Sequence, residues 1–374
     1  VELPYIAAVL KEWKMYVELF PKRPKIKELH LGGGTPTFFS STHLELLIEG
    51  ILQHATIADE ADFSFEGHPN NTTEEHLRVL YTLGFKRISF GIQDFDPLVQ
   101  ETINRKQTYG QVEYITDLAR MIGYTSINFD IVYGLPKQSL SGLIHTIEKC
   151  ILLRPDRIAF YSYAHVPWLK PGQRKFTEED LPVAEHKRAL YETGRYLLEN
   201  AGYVEIGMDH FALPSDPLYV ARNNKTLHRN FMGYVCSPTD LLLGLGCSSI
   251  SDIGLAYAQN TKTVEVYMEA VHENRLPVFN GHLMREEDIH LKNHILNLSC
   301  NLETSWKNRE EEEAIRSKLH RLEEMASEGL VIINENSLQV TEKGKPFIRN
   351  ICSMLDGYLH KKDISQVPTF SKAI

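Results

Sequence analysis

A chain of 374 residues with 43% apolar and 24% charged residues is long enough for one large domain plus one or two smaller ones, and is composed as a folded protein rather than a disordered one. Its formal charge of −9 excludes a general attraction to nucleic acid or anionic membrane, though not a local basic pocket for an acidic small molecule. No apolar run reaches the roughly 18 residues of a membrane span and no secretory signal opens the chain, so a cytoplasmic location is expected.

In chain order, residues 4–20 read as an amphipathic helix with Ile6, Val9, Leu10, Trp13 and Val17 on one face. A domain that begins almost directly in a core-facing helix suggests that a piece preceded it. The strand 26–31 runs into the turn Gly32-Gly33-Gly34-Thr35-Pro36, then a helix over 41–54 with Leu44, Leu47, Ile48 and Ile51 on one side. The strand 63–67 follows, then a helix read as opened by a capping box of Thr72 and Glu75. Next come a strand over 87–95, a helical stretch with a second helix near 108–122, and a strand over 126–136. A helix carrying Leu143, Ile144, Ile147 and Ile151 leads to a strand over 157–166, and 203–211 is a possible sixth strand.

Strands that recur roughly every 30–37 residues predict repeated βα units and a parallel sheet, doubly wound or curled into a barrel. They read as apolar enough to be covered on both faces. Polar residues gather late in them, as Glu66, Gln93 with Asp94, Asp130, then Tyr163 and His165, where α/β barrels build active sites. Fewer than eight strands favours an open, partial (β/α) barrel. Beyond 168 come a loop, a helix over 183–201 and a polar, aromatic stretch over 212–240. The glycine-punctuated 241–254 reads as a buried loop packed on a ligand. From 284 the chain is mainly helical, with a winged-helix pattern over 322–351. The acidic run Glu310–Glu313 and the net charge argue against a DNA-binding wing. The expected division is 1–175, 176–281 and 282–374.

The chemistry-bearing residues leave alternatives open. The Gly32–Pro36 turn either exposes amides to an anion or is a tight connection only, and it matches neither nucleotide-phosphate pattern. Asp130, with Arg105 as a nearby cation, is a structural ion pair or recognises a ligand hydroxyl or ammonium group. Glu66 has the same ambiguity. His210 and His228 are structural or touch substrate, since no helical spacing supports a metal site. Arg229 and Arg222 suit substrate carboxylates. The five cysteines, Cys150, Cys236, Cys247, Cys300 and Cys352, are scattered and suit a reducing compartment.

The strings LGGGTPTF, FEGHP, ISFGIQDF, INRKQ, INFDIVYGLPKQ, YSYAHVP, GMDHFA, LHRNFMGY and RNICSMLDGYL, in this order, resemble the oxygen-independent coproporphyrinogen III oxidases. These are radical S-adenosylmethionine (SAM) enzymes of heme biosynthesis, and the resemblance covers nearly the whole chain. It implies a partial barrel of the radical SAM type with a mainly helical C-terminal domain. It further implies decarboxylation of two propionates of coproporphyrinogen III to give protoporphyrinogen IX, using a 4Fe-4S cluster and an electron donor. Two SAM molecules are implied, one near Gly33, Glu66 and Ile250, the other near Gly34, Thr35, Gln93, Arg105, Asp130 and Ala164. Ala164 and Ile250 come from the resemblance alone. His210 and Arg229 are the expected substrate contacts, and a monomer without nucleic-acid or membrane partners is expected.

One departure stands out. The family's cluster is held by a C-x3-C-x2-C segment, and none of the five cysteines matches a ligand position. The expectation is a chain lacking its N-terminal strand and cluster segment, unable alone to perform the radical step and binding SAM weakly. A heme or porphyrin carrier on the same barrel, and another radical enzyme of the superfamily, are the competing readings.

Overall fold

Alternate residues along each strand of the main sheet have opposite character, and that period of two sets the architecture. The structure, a computed structural model, describes residues 2–359. Helix α1 (Glu2–Val17) precedes five strands, β1 (Lys25–Leu31), β2 (Thr56–Gly67), β3 (Phe85–Gln93), β4 (Ser126–Tyr133) and β5 (Arg157–Ser162), which lie parallel and in sequence order. Each is followed by helix: α2 (Ser41–Leu52), α3 (Glu74–Thr82), the pair α4 (Pro97–Thr102) and α5 (Tyr109–Ile122), α6 (Leu140–Leu153) and α7 (Ala184–Asn200).

The segment 203–211 is not one strand. It folds back at Met208, whose φ is +47°, into a hairpin of β6 (Val204–Gly207) and β7 (His210–Ala212). β7 enters antiparallel beside β5, giving the order β1-β2-β3-β4-β5-β7-β6. Among the described residues β1 has no strand on its outer side.

The strands are covered on one face, not two. Phe63, Phe65, Ile88, Phe90, Ile127, Phe129, Ile158 and Phe160 lie under the helices and are almost wholly sealed from water. Burying each such side chain stabilises the fold by about 1.5–3 kcal/mol. The residues between them, from Ser64 and Glu66 through Ser89, Asn128 and Asp130 to Arg157 and Tyr161, line a polar cleft on the other face.

Local chemistry fixes the helix starts. The hydroxyls of Ser40, Thr108 and Ser139 and the carboxylate of Asp96 accept backbone N–H bonds at the heads of α2, α5, α6 and α4. At α3 the cap is Thr73 with His76, not Thr72 with Glu75. Thr72 is buried instead, its hydroxyl 3.1 Å from that of Thr37.

After α7 come α8 (Pro217–Asn223), β8 (His228–Asn230), β9 (Gly233–Val235), β10 (Ile250–Asp252), β11 (Ala256–Asn260), α9 (Val264–His272) and β12 (Val278–Leu283), with β10–β12 forming a separate antiparallel sheet. The loop 241–254, expected to pack on a ligand, packs on α1. Leu243, Leu245 and Cys247 join the main core, and Gly246 donates its N–H to Glu12 Oε2 at 2.8 Å. Glu12 also accepts from Asn260 Nδ2 at 2.6 Å and the Tyr267 hydroxyl at 2.7 Å, and is itself fully buried.

The remaining elements are α10 (Glu286–Asn301), β13 (Glu303–Ser305), α11 (Arg309–Leu319), α12 (Glu323–Ser327), β14 (Val331–Ile333), β15 (Ser337–Val340) and α13 (Ile348–Leu355). They share a core that includes Leu298, Trp306, Ile315, Leu338 and Ile351. Links back to the preceding elements include ion pairs of Arg349 with Asp209, Lys225 with Glu303 and Lys292 with Asp252, and a bond from the Tyr234 hydroxyl to Ser299 O. The acidic run forms an exposed face of α11, where Arg309 and Arg316 pair with Glu313 and Glu312 at i,i+4. Such pairs contribute only about 0.3–0.5 kcal/mol each.

A polar cleft at the strand ends as candidate active site

Parallel register arranges the cleft-facing residues in three rows across the sheet. Nearest the strand starts is His30–Ser64–Arg87–Ser126; next is Glu66–Ser89–Asn128–Arg157; nearest the carboxyl ends is Gly91–Asp130–Ala159–His210. Asp130 therefore stands between two small residues, which leaves room above it. This end of a parallel sheet is where a ligand meets loops and strand termini together.

Asp130 anchors the last row. Its Oδ1 accepts from Asn128 Nδ2 at 2.8 Å and its Oδ2 from Ser89 Oγ at 3.1 Å, while Asn128 Nδ2 also reaches Ser89 Oγ at 2.7 Å. Burial first, then repulsion from Glu66, pushes the carboxyl up to about 6, against the pull of those hydrogen bonds and of Arg105. Arg105 donates from Nη2 to Gly91 O at 2.8 Å, and burial pulls its guanidinium below the ordinary value while Asp130 acts the other way. A Cβ on Gly91 would lie 2.5 Å from Arg105 Nη2 and 2.9 Å from Gln93 Nε2, so both side chains converge over a position that only glycine permits.

The turn after β1 supplies a second wall. Glu66 Oε1 lies 3.6 Å from His30 Nε2, and His30 Nδ1 is 2.9 Å from Ser64 Oγ. A Cβ on Gly32 would press within 3.0 Å of Glu66 Oε1, whereas nothing lies within 4 Å of one built on Gly33 or Gly34. Those two glycines are exposed, Gly33 at φ +82°, and present an open backbone cradle ahead of Thr35 and a short turn of helix at Pro36–Phe38.

The opposite wall is aromatic and basic. Tyr161 OH is 3.4 Å from His210 Nε2, and His210 meets the Tyr161 and Tyr234 rings edge-on at 5.7 and 5.3 Å. Burial, then the charges of Arg229, Arg157 and Arg349, pulls His210 down to about 3, so its imidazole is neutral at ordinary pH. Arg229 lies over the Tyr234 ring at 5.7 Å. His210 Nδ1, Arg229 Nε, Arg105 Nε and Asn128 Oδ1 are buried atoms without a hydrogen-bond partner. Unmet polar atoms around one cleft mark where a polar ligand supplies the missing bonds.

Glu66, Gln93, Arg105 and Asp130 thus come together, with Gly33, Gly34 and Thr35 on the adjoining turn. Ala164 lies just past β5, its carbonyl accepting from Gln173 Nε2 at 3.1 Å, and Ile250 opens β10 in the separate sheet. His228 sits apart beside Lys292 and Asp252, and burial together with Lys292 lowers its pKa. Arg222 lines a different pocket with Glu205 and Lys345. Sequence reasoning missed Ser89, Asn128, Arg157 and Tyr161. The available signal was strict alternation: S-I-N-F-D-I in β4 puts Asn128 and Asp130 on one face.

The open glycine cradle, the carboxylates and the unmet donors fit SAM, whose carboxylate, ammonium and ribose hydroxyls need such partners. An iron–sulfur cluster does not fit. Among the described residues no group of three or more His, Cys, Asp or Glu side chains is placed to hold a metal, and Cys150, Cys300 and Cys352 are buried. Thiolates are what such a cluster requires. No helix among the described residues is long and apolar enough to cross a membrane.

Residues 4–150 match the radical SAM superfamily. The chain is 36% identical over 381 residues to the oxygen-independent coproporphyrinogen III oxidase of Synechocystis sp., spanning 99% of this chain and 81% of the relative. It is 37% identical over 376 residues to the enzyme of that name from Salmonella typhimurium, spanning 99% and 82%. Its fold superposes on the solved structure of the Escherichia coli coproporphyrinogen III oxidase, described as a radical SAM enzyme, with a TM-score of 0.89 and 35% identity over 95% of this chain and 83% of that one.

Proposed function

The chain belongs to the oxygen-independent coproporphyrinogen III oxidases of the radical SAM superfamily, and from that premise we propose that its cleft binds SAM beside coproporphyrinogen III for conversion to protoporphyrinogen IX in heme biosynthesis. The observation that carries this reading is the Asp130–Asn128–Ser89 cluster with Arg105 converging on it from the next loop. A buried carboxylate ringed by donors and facing free space is suited to ribose hydroxyls or an ammonium group.

SAM supplies, when bound, the adenosyl group from which the family's hydrogen-abstracting radical is drawn. The protein's part is binding and orientation. Gly33, Gly34 and Thr35 offer backbone and hydroxyl groups to a carboxylate; Glu66 and Asp130 accept from ammonium or hydroxyl groups; Gln93 and Arg105 contact the second molecule, with Ala164 and Ile250 as neighbouring backbone and apolar contacts. Neutral His210 and stacked Arg229 face the propionates, Arg229 as the charge partner and His210 as a hydrogen bond that adds no competing charge. The Tyr161 and Tyr234 rings exclude water on that side.

These residues account for binding and not for radical initiation. We propose that this chain, whose five cysteines include no C-x3-C-x2-C set, does not start the radical step by itself. Anaerobic reconstitution with iron and sulfide is expected to leave it colourless, and a stable brown protein with about four irons per chain would overturn that statement. The binding proposal is tested by calorimetric titration with SAM, in which Asp130→Ala lowers affinity at least tenfold. A carrier on the same barrel would instead bind heme tightly with a sharp Soret band and ignore SAM.

A further inference from the structure

Gln93 is the centre of a three-residue turn in which Asp94 N–H donates to Ile92 O at 2.9 Å, and its φ is +66°. That hand of the turn is rare and strained for a residue with a side chain. The strain persists only if the surroundings hold it, and both flanks are held by buried side chains. Ile92 O accepts from Gln107 Nε2 at 2.6 Å, and Asp94 O from Gln100 Nε2 at 2.9 Å.

The Asp94 carboxylate, fully sealed from water, gathers three donors: Gln138 Nε2 at 2.6 Å, Thr146 Oγ1 at 2.8 Å and the Asp96 N–H at 2.6 Å. Gln138 belongs to the loop after β4 and also accepts from Gly134 N–H at 2.7 Å; Thr146 belongs to α6 and accepts from Phe95 N–H at 3.0 Å. Asp94 therefore joins the end of β3 to the end of β4, the strand that carries Asp130. The same cage reaches Arg105, whose N–H donates to Gln100 O at 2.8 Å. None of these cage side chains lines the cleft; each acts through Gln93 or Arg105.

We infer that Asp94 is a positioning residue: its hydrogen-bonded clamp on Gln138 and Thr146 holds the strained turn at Gln93 and so presents the Gln93 amide, beside Arg105, to SAM. This rests on the reading that Gln93 faces SAM. The clamp itself does not, and the two are separable by experiment.

Urea unfolding of a double-mutant cycle tests the clamp without any ligand. Gln93→Gly relieves the strain and raises the folding equilibrium constant about fivefold in the unaltered chain, as removing a side chain from left-handed backbone does. In the Thr146→Val or Asp94→Asn background the turn relaxes by itself and that gain vanishes. Thr146→Val keeps side-chain shape and removes one donor to Asp94 together with the acceptor for Phe95 N–H, so the cycle stands even where Asp94→Asn folds poorly. An equal gain in all backgrounds overturns the clamp. SAM titration of Thr146→Val tests positioning: about tenfold weaker binding, restored by Thr146→Ser, is expected, and unchanged SAM affinity overturns it. If the unaltered chain itself ignores SAM, the proposed function fails and the cycle alone decides the clamp.

Discussion

Arg157 Nε lies 2.7 Å from Asp216 Oδ2, with the two side chains only 8% and 1% exposed, and this pair fastens β5 to the first turn of α8 beneath the cleft. Asp216 also caps that helix, accepting from Leu218 N–H at 2.8 Å. Surface pairs contribute little, but breaking a buried pair strands a charge. Asp216→Ala is expected to cost about 4–6 kcal/mol in unfolding free energy by urea titration, pair and cap together. Arg157→Met combined with Asp216→Asn costs much less, because no charge is left behind.

Glu12 behaves as the second such anchor. Glu12→Ala leaves the Gly246 N–H, the Asn260 amide and the Tyr267 hydroxyl without their acceptor, for about 3–5 kcal/mol. Glu12→Gln keeps one oxygen acceptor and is expected to recover part of that loss in the same urea titration.

Asp130 and His210 impose opposite pH dependences. The Asp130 carboxyl titrates near 3.8 unfolded and about 6 folded, so between those values the native chain keeps a proton the unfolded chain has released. Stability from this group therefore falls as pH rises from about 4 to 6 and stays lost above. Asp130→Asn removes that slope and raises the melting temperature at pH 7 relative to pH 4, measured as a series of thermal melts.

His210 works the other way. Its unfolded value of 6.5 drops to about 3 in the fold, so its contribution is full above about 6.5 and is lost as pH falls toward 3. Between pH 6 and 4 the two contributions offset each other, and the larger His210 displacement leaves this pair with a net loss only over the whole span from about 6.5 to 3. His210→Gln removes that offset, so stability by urea titration gains on the unaltered chain as pH falls from 6 to 4; an unchanged profile refutes the assignment.

Much of the barrel was legible because βα units repeat with turn and cap signals, and the β1 to β5 order followed. The cleft was half legible. Glu66, Gln93 and Asp130 stood out as polar residues late in apolar strands, but Ser89 and Asn128 did not, because a small polar side chain between apolar neighbours barely lowers a strand's apolar content. The β6–β7 hairpin was hidden since Met208 carries no turn chemistry; its positive φ is imposed by tertiary packing. Glu12 was invisible for a similar reason. Its partners Gly246, Asn260 and Tyr267 lie more than 230 residues away along the chain, and helical periodicity reports only which face is apolar.

Gly91 offers a steric test of the cleft. Alanine there meets Arg105 and Gln93 at less than contact distance, so Gly91→Ala is expected to displace both and weaken SAM binding at least tenfold by calorimetry. The flexible ends of those side chains yield, so the melting temperature moves by only a few degrees.

The outer side of β1 has a consequence for handling the protein. Among the described residues no strand pairs with this seven-residue rim, and such a rim is a template for adding a strand from a neighbouring molecule. Here the rim carries Lys25 and Lys27, and Lys27 Nζ is tied to Ser237 Oγ at 2.6 Å and Pro238 O at 3.2 Å across that margin. Positive charge and a strapped lysine work against such addition along this rim. Concentrated stocks are therefore safest at low ionic strength, where like charges on two rims repel most strongly.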